Sequence, residues 1–259
     1  MRWIRHLLLA AVALSLSACT GTINDDEAHI YLTSCITITP DGLSEVTGLN
    51  QPGSVSFDGR WVAFTSANPK YVSGFPYKAG ESEVFIRDTW SGQISVVSST
   101  IYGTPVKDGS SKHPSLSKLG NFIAFTSSSS ELVESDSNGS EDIFIRNIES
   151  KIGDLTLVSR DTDGKSAAGG SSKPSISSDG QNVLFISNAT NLVTTGEVTS
   201  QQNVFIRGVF LSTPKTELIS SKDGTTAEEG NGPSTIVAGR NVISDDNRYV
   251  VFTSSATDL

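Results

Sequence analysis

An all-β chain built from stacked, four-stranded antiparallel sheets is predicted by three features of the sequence. Apolar runs of strand length recur on a common beat: Phe64, Phe125, Phe185 and Phe252 follow one another at steps of 61, 60 and 67 residues. A second register, Phe85, Phe144 and Phe205 in EVFIRD, DIFIRN and NVFIRG, keeps steps of 59 and 61. No long stretch carries a helical period, and serine, threonine and glycine are abundant, so strands joined by turns fit the composition.

Each repeat reads as four strands in order. The first is the short Ser-x-Ser type of segment that opens GSVSFDGRWVAFTS (Gly53 to Ser66), PSLSKLGNFIAFTS (Pro114 to Ser127) and PSISSDGQNVLFIS (Pro174 to Ser187), with ISDDNRYVVFTS (Ile243 to Ser254) as a fourth copy. Asp58-Gly59 and Asp179-Gly180 turn it into the second strand, since these dipeptides accept the positive φ angles of tight hairpins; Leu119-Gly120 and Asp246-Asn247 are weaker versions. The second strand is apolar on both sides, as in Val183-Leu184-Phe185-Ile186, which suits a sheet sandwiched between two others. The EVFIRD-type segment is the third. The fourth is ISVVS (Ile94 to Ser98), LTLVS (Leu155 to Ser159) and TELIS (Thr216 to Ser220), with CITIT (Cys35 to Thr39) as an earlier copy.

A meander of about sixty residues cannot bury both its faces alone, whereas stacked neighbours can. Radial packing of such blades is a β-propeller; a β-sandwich is the alternative, but it would not demand the repeat beat. Three full blades and the first strands of a partial fourth precede Leu259. The expectation is an incomplete ring continued by further sequence, the alternative a four-bladed ring sealed by Ile36 to Thr39.

The strongly apolar segment lies at the N-terminus. Arg2 and Arg5 precede Leu7 to Leu16, too short to span a bilayer as a mature helix, and LSAC (Leu16 to Cys19) follows. This resembles a bacterial lipoprotein signal peptide. The resemblance implies removal of residues 1–18, acylation of Cys19, a tether over 19–33 and a folded domain over 34–259. Thr20 is not the aspartate associated with inner-membrane retention, so the implied location is the cell envelope, anchored by lipid to the outer membrane and facing the periplasm. With Cys19 taken by lipid, Cys35 has no intramolecular partner and no disulfide framework is expected.

The blade signature PSIS-SDG-QNVLFIS-NATNLV, followed by NVFIRG and TELIS, resembles the TolB-like, WD-related propeller repeats of bacterial envelope proteins, from about Ser34 to the end. The resemblance implies a ring of six or more blades acting as an interaction platform. TolB itself carries an extra N-terminal α/β domain, whereas this chain passes from a tether into strands, so the TolB–Pal partnership does not carry over.

Nineteen basic against twenty-eight acidic residues give a net charge of −9, which disfavours the phosphate contacts of nucleic-acid binding. Arg87, Arg146 and Arg207 recur in every full blade and so read as architecture, because a site is better sought where a blade departs from its neighbours. Trp61 reads as core. Three departures stand out. Asn68 to Gly80 carries Tyr71, Phe75 and Tyr77 beside Lys70 and Lys78, either an exposed protein- or glycan-binding patch or rings folded back on the blade edge. ESDSNGSED, Glu134 to Asp142, spaces Glu134, Asp136, Asn138 and Asp142 like the hard oxygens of a calcium loop, although no bidentate glutamate follows; an Asx-rich turn is the alternative. Ser234 to Val242 lengthens the last repeat and reads as a surface excursion.

No G-x-S-x-G, H-E-x-x-H or phosphate-loop motif occurs. The expected function is a non-catalytic protein- or glycan-binding platform; the alternative is the propeller portion of an envelope hydrolase, peptidase or glycoside-active, whose catalytic part is missing or unrecognised.

Overall fold

The computed structural model describes residues 53–72, 80–150, 154–194, 198–224, 228–238 and 242–259. Cys19, Cys35 and the segment from Ile36 to Thr39 lie outside them. Among the described residues there is no α-helix; two single 3₁₀ turns, Pro69–Tyr71 and Lys222–Gly224, accompany fourteen strands. The fold is all-β, with antiparallel blades of the β-propeller kind. Strands β1 (Ser54–Val55), β2 (Trp61–Ser66), β3 (Glu83–Asp88) and β4 (Ile94–Val96) form a first sheet in sequence order. Strands β5 (Ser111–Leu116), β6 (Phe122–Ser127), β7 (Asp142–Asn147) and β8 (Leu155–Leu157) form a second. Strands β9 (Ser171–Ile176), β10 (Asn182–Ser187), β11 (Asn203–Gly208) and β12 (Thr216–Leu218) form a third, and β13 (Ser234–Thr235) pairs with β14 (Thr253–Ser254).

The two phenylalanine registers turn out to be cross-strand pairs. Phe64 faces Phe85, Phe125 faces Phe144 and Phe185 faces Phe205 across the central strands, with stacked rings 5.6, 5.8 and 6.0 Å apart. Alternation then sends neighbouring residues to opposite faces. Phe125 and Phe144 pack with Ala63, Val84 and Ile86 of the first sheet, while Ala124, Ile143 and Ile145 pack with Val183, Phe185 and Phe205 of the third. The other face of the third sheet, Leu184, Ile186 and Val204, meets Ile236, Ile243 and Phe252. The second and third sheets therefore each serve two interfaces, which is why their central strands are apolar throughout.

Serines hold the joints between sheets. The Leu116 amide donates to Ser54 Oγ at 2.9 Å, Ile176 to Ser115 Oγ at 3.1 Å and Val242 to Ser175 Oγ at 3.3 Å. Backbone bonds reinforce them, from Ser111 to Ser82 O, Ser171 to Glu141 O and Ser234 to Gln202 O. Two of the recurring arginines clamp across these joints: Arg146 donates to the carbonyls of Ser99 and Thr100, and Arg207 to that of Arg160, while the Thr216 hydroxyl of its own sheet also accepts from Arg207. Their reading as architecture agrees with this placement.

Four local features differ from the sequence reading. The first strand of the second and third sheets is six residues long and bulged, with the register shifting between Lys112 and Ser115 and between Leu184 and Ile186 of its partner. His113 and Lys173 sit in the bulges at φ 54° and 53°, immediately before Pro114 and Pro174. Ile236 and Ala238, in the segment that lengthens the last repeat, are buried and do not form a surface excursion. The hairpin turns take positive φ at one residue each, Gly59, Gly120, Gly180 and Asn247. Their aspartates instead bind side chains: Ser56 Oγ donates to Asp58 and Ser177 Oγ to Asp179, each at 2.6 Å.

Candidate functional site

Two parts of the molecule depart from the repeat, and a third recurs in every sheet with different residues. The first is the connection between β2 and β3 of the first sheet. Asn68 caps the 3₁₀ turn Pro69–Tyr71, its side chain accepting from the Lys70 amide. The turn points Tyr71 inward, where it is 2% exposed and meets Phe64 and Phe85 at 5.2 Å each. In the second and third sheets the equivalent phenylalanine pairs are covered by the preceding sheet; here a tyrosine from the loop contributes the cover. Tyr71 is thus core and offers no ring to a partner, and Phe64 is buried with it. Phe75 and Tyr77 lie outside the described residues.

The second part is the turn end of the first sheet. Neighbouring turns are joined there in sequence, Phe57 donating to Lys118 O and Lys118 to Ser178 O, while Lys118 and Ser178 both bind the Asp245 carboxylate. The Arg60 guanidinium lies 4.7 Å from the Trp61 ring centre and 4.6 Å from that of Trp90, and Arg60 Nη2 pairs with Asp88 Oδ2 at 3.1 Å. That arginine hydrogen bond, ahead of the backbone amides of Trp90 and Ser91, holds the Asp88 carboxyl below its usual range. Lys118 Nζ stands 5.1 Å from the Phe57 ring. Phe57, Trp90 and Leu119 are 81%, 72% and 66% exposed. Large apolar groups beside cations at one end of a molecule are the material of an interaction surface. The sequence reading took Trp61 as core and missed this group, because Phe57, Arg60, Trp90 and Leu119 come from three different turns. Trp61 is half-buried, and its ring lies over Gly120, where a Cβ would come within 2.4 Å of it.

The third part is the polar start of each third strand. In the first sheet the Val84 amide donates to Ser98 Oγ at 2.9 Å and Ser98 Oγ donates to Glu83 Oε2 at 2.5 Å. The second sheet repeats this with Ile143, Ser159 and Asp142, and the third with Val204, Ser220 and Asn203. All of these side chains are buried. Burial pushes Glu83 up to about 7, against the lowering bond from Ser98, with the charge of Glu81 adding to the rise. Burial likewise raises Asp142 to about 7. Asn203 occupies the same position without a charge.

Of the residues spaced like a calcium loop, Asp136 and Asp142 both lie in the interior, 6% and 0% exposed, and the charge of Asp136 helps to raise Asp142. Asn138 braces the connection, its amide donating to Ala167 O at 2.8 Å and its Oδ1 accepting from the Ser140 amide at 2.7 Å. Glu134 is exposed and stands apart from them. Among the described residues no three His, Cys, Asp or Glu side chains converge as a metal-holding group, and no helix is long and apolar enough to cross a membrane. Burial lowers the pKa of His113, and the charge of Lys112 lowers it further.

No protein-family model matches the chain, and no curated protein does. Among solved structures it is similar to TolB from Acinetobacter baumannii, at 17% identity and a TM-score of 0.41, with 80% of this chain and 44% of that chain covered. A TolB structure from Agrobacterium tumefaciens gives 14% identity and a TM-score of 0.42 over 79% of this chain and 59% of that one. The tricorn protease gives 11% and 0.40 over 67% of this chain and 14% of that one. The chain spans about half the length of the TolB structures.

Proposed function

We propose that this chain is a non-catalytic binding propeller of the bacterial cell envelope, anchored by lipid on Cys19 to the outer membrane and facing the periplasm. Its partner is an envelope protein or glycan. The observation that carries this reading is the turn end of the first sheet, where Phe57, Trp90 and Leu119 stand exposed around Arg60 and Lys118. Flat aromatic faces beside cations suit a sugar ring or an aromatic and acidic protein surface, and Arg60 is already oriented by Asp88 and by two indoles. No step of chemistry is needed for such a role, and the envelope placement rests on the LSAC segment of the sequence.

A photo-crosslinking residue at position 57 or 90 in cells, with the same residue at exposed position 210 as control, tests the surface. A discrete adduct from 57 and 90 and none from 210 is expected, together with retention on purified cell-wall sacculi if the partner is glycan. Equal crosslinking at all three positions, or hydrolysis of envelope substrates by the purified chain, would contradict the reading. Growth with a labelled fatty acid tests the anchor: label is expected on the wild type and absent from Cys19→Ser.

A further inference from the structure

We propose that the second sheet carries a divalent-cation site, selective for calcium, built on Asp136 and Asp142. The argument begins with hydrogen-bond bookkeeping. Both oxygens of Asp136 and Oδ2 of Asp142 are buried and have no hydrogen-bond partner, and the charge of Asp136 reaches Asp142. Asp142 Oδ1 is held by Ser159 Oγ at 2.5 Å, while Oδ2 has no partner. Three buried acceptors therefore complete no hydrogen bond, although the Ser166 hydroxyl lies beside Asp136 and the Asn138 side chain beside Asp142. Buried ionised oxygens in this state need a proton or a metal ion between them.

The third sheet shows how the same position is balanced without an ion. Its counterpart of Asp142 is Asn203, whose Oδ1 accepts from Ser220 while its Nδ2 donates to Glu229 Oε2 at 2.5 Å. Donor meets acceptor there, whereas in the second sheet acceptor meets acceptor. The oxygens on hand are those of the two carboxylates and of the Ser166 hydroxyl beside Asp136, a set that suits calcium rather than zinc or copper. Two carboxylates completed by neutral oxygens and water place affinity in the weak range of extracellular calcium modules, about 0.1–1 mM. Burial raises both acids, Asp136 and Asp142, in keeping with an uncompensated pair.

Calcium itself is the probe, titrated calorimetrically into the chelator-treated mature chain. One saturable site is expected, with a rise of several degrees in melting temperature at saturation. Asp136→Asn should weaken binding at least tenfold, and so should Asp142→Asn, which reproduces the residue the third sheet already accommodates. Asp163→Asn, an exposed acid on a different turn, should bind as wild type does. Absence of saturable binding up to about 10 mM calcium, or unchanged affinity in Asp136→Asn, would overturn the site. A carboxylic-acid infrared band at neutral pH that calcium does not remove would overturn it too, by showing a shared proton in its place.

Discussion

The first and third sheets are built on the same plan and finish it differently. Phe185 and Phe205 are covered by the second sheet, whereas Phe64 and Phe85 are capped by Tyr71 from a 3₁₀ turn. The third sheet starts its third strand with Asn203 and the first with Glu83, each bound to a serine that also accepts a backbone amide. The turn of the third sheet is pressed against its neighbour, and that of the first is open to solvent. The repeat thus fixes backbone and packing. Individual side chains decide whether a face is sealed, whether a buried group titrates and whether an end can meet a partner.

The largest effect should come from the covering of the phenylalanine pairs. Phe205→Ala removes a ring packed between two sheets and is expected to cost about 3–5 kcal/mol in urea unfolding. Tyr71→Ala should cost less, about 2–4 kcal/mol, and should raise dye binding to apolar surface at the first sheet, which Phe205→Ala should do only on unfolding. Equal costs with no new dye binding would show that Tyr71 is not the cover.

Next in size is the hydrogen-bond relay from the Val84 amide through Ser98 to Glu83. Glu83 has its folded pKa raised to about 7 from an ordinary 4.5, so the folded chain holds this proton more tightly than the unfolded chain. Below about pH 4.5 both states are protonated and the group is neutral in its effect. Between about 4.5 and 7 the unfolded state ionises first, and stability falls as pH rises, by about 2–3 kcal/mol in all. Glu83→Gln should therefore match wild type at pH 4 and exceed it by that amount at pH 8. Asn203→Ala, by contrast, should show a cost that does not vary with pH.

The smallest contrast concerns the turns. Gly59 and Gly180 both have positive φ, 72° and 76°, but a Cβ on Gly59 meets nothing within 4 Å while one on Gly180 would lie 2.4 Å from the Phe122 ring. Gly59→Ala should cost about 1 kcal/mol of backbone strain, and Gly180→Ala about 1–2 kcal/mol more as the ring is displaced. Thermal melts of the two variants make the comparison.

Much of this plan was legible in the sequence. The sixty-residue beat, the strand order and the turn glycines follow from residue types whose spacing has one structural meaning. The apolar strands were readable because Phe, Ile and Val in each register have no other use than burial. Serine was not readable in the same way: Ser54, Ser98 and Ser115 carry joints and relays, yet serines are so frequent that none stands out before its partner is known. The fourth strand was read too long for a similar reason, since Val158 and Ser159 look like strand but leave the ladder after Leu157, the Val158 amide still bonding to Ile143. The surface at Phe57, Arg60 and Trp90 escaped notice because it is assembled from separate turns. Tyr71 illustrates the opposite case: a ring next to lysines in a loop suggests display, and a 3₁₀ turn sends it inward.

The most direct test of the Ser98–Glu83 bond, and of the view that one repeated position is ionisable in the first sheet and not in the third, is a carbon-detected NMR titration of the Glu83 side-chain carboxyl, with the Asn203 amide as internal reference. The account predicts a midpoint for Glu83 close to 7 and an Asn203 signal that stays in place across the same range. A Glu83 midpoint near 4.5 would contradict it, because the carboxylate would then be solvated and the buried Ser98–Glu83 bond could not be the one that holds the strand.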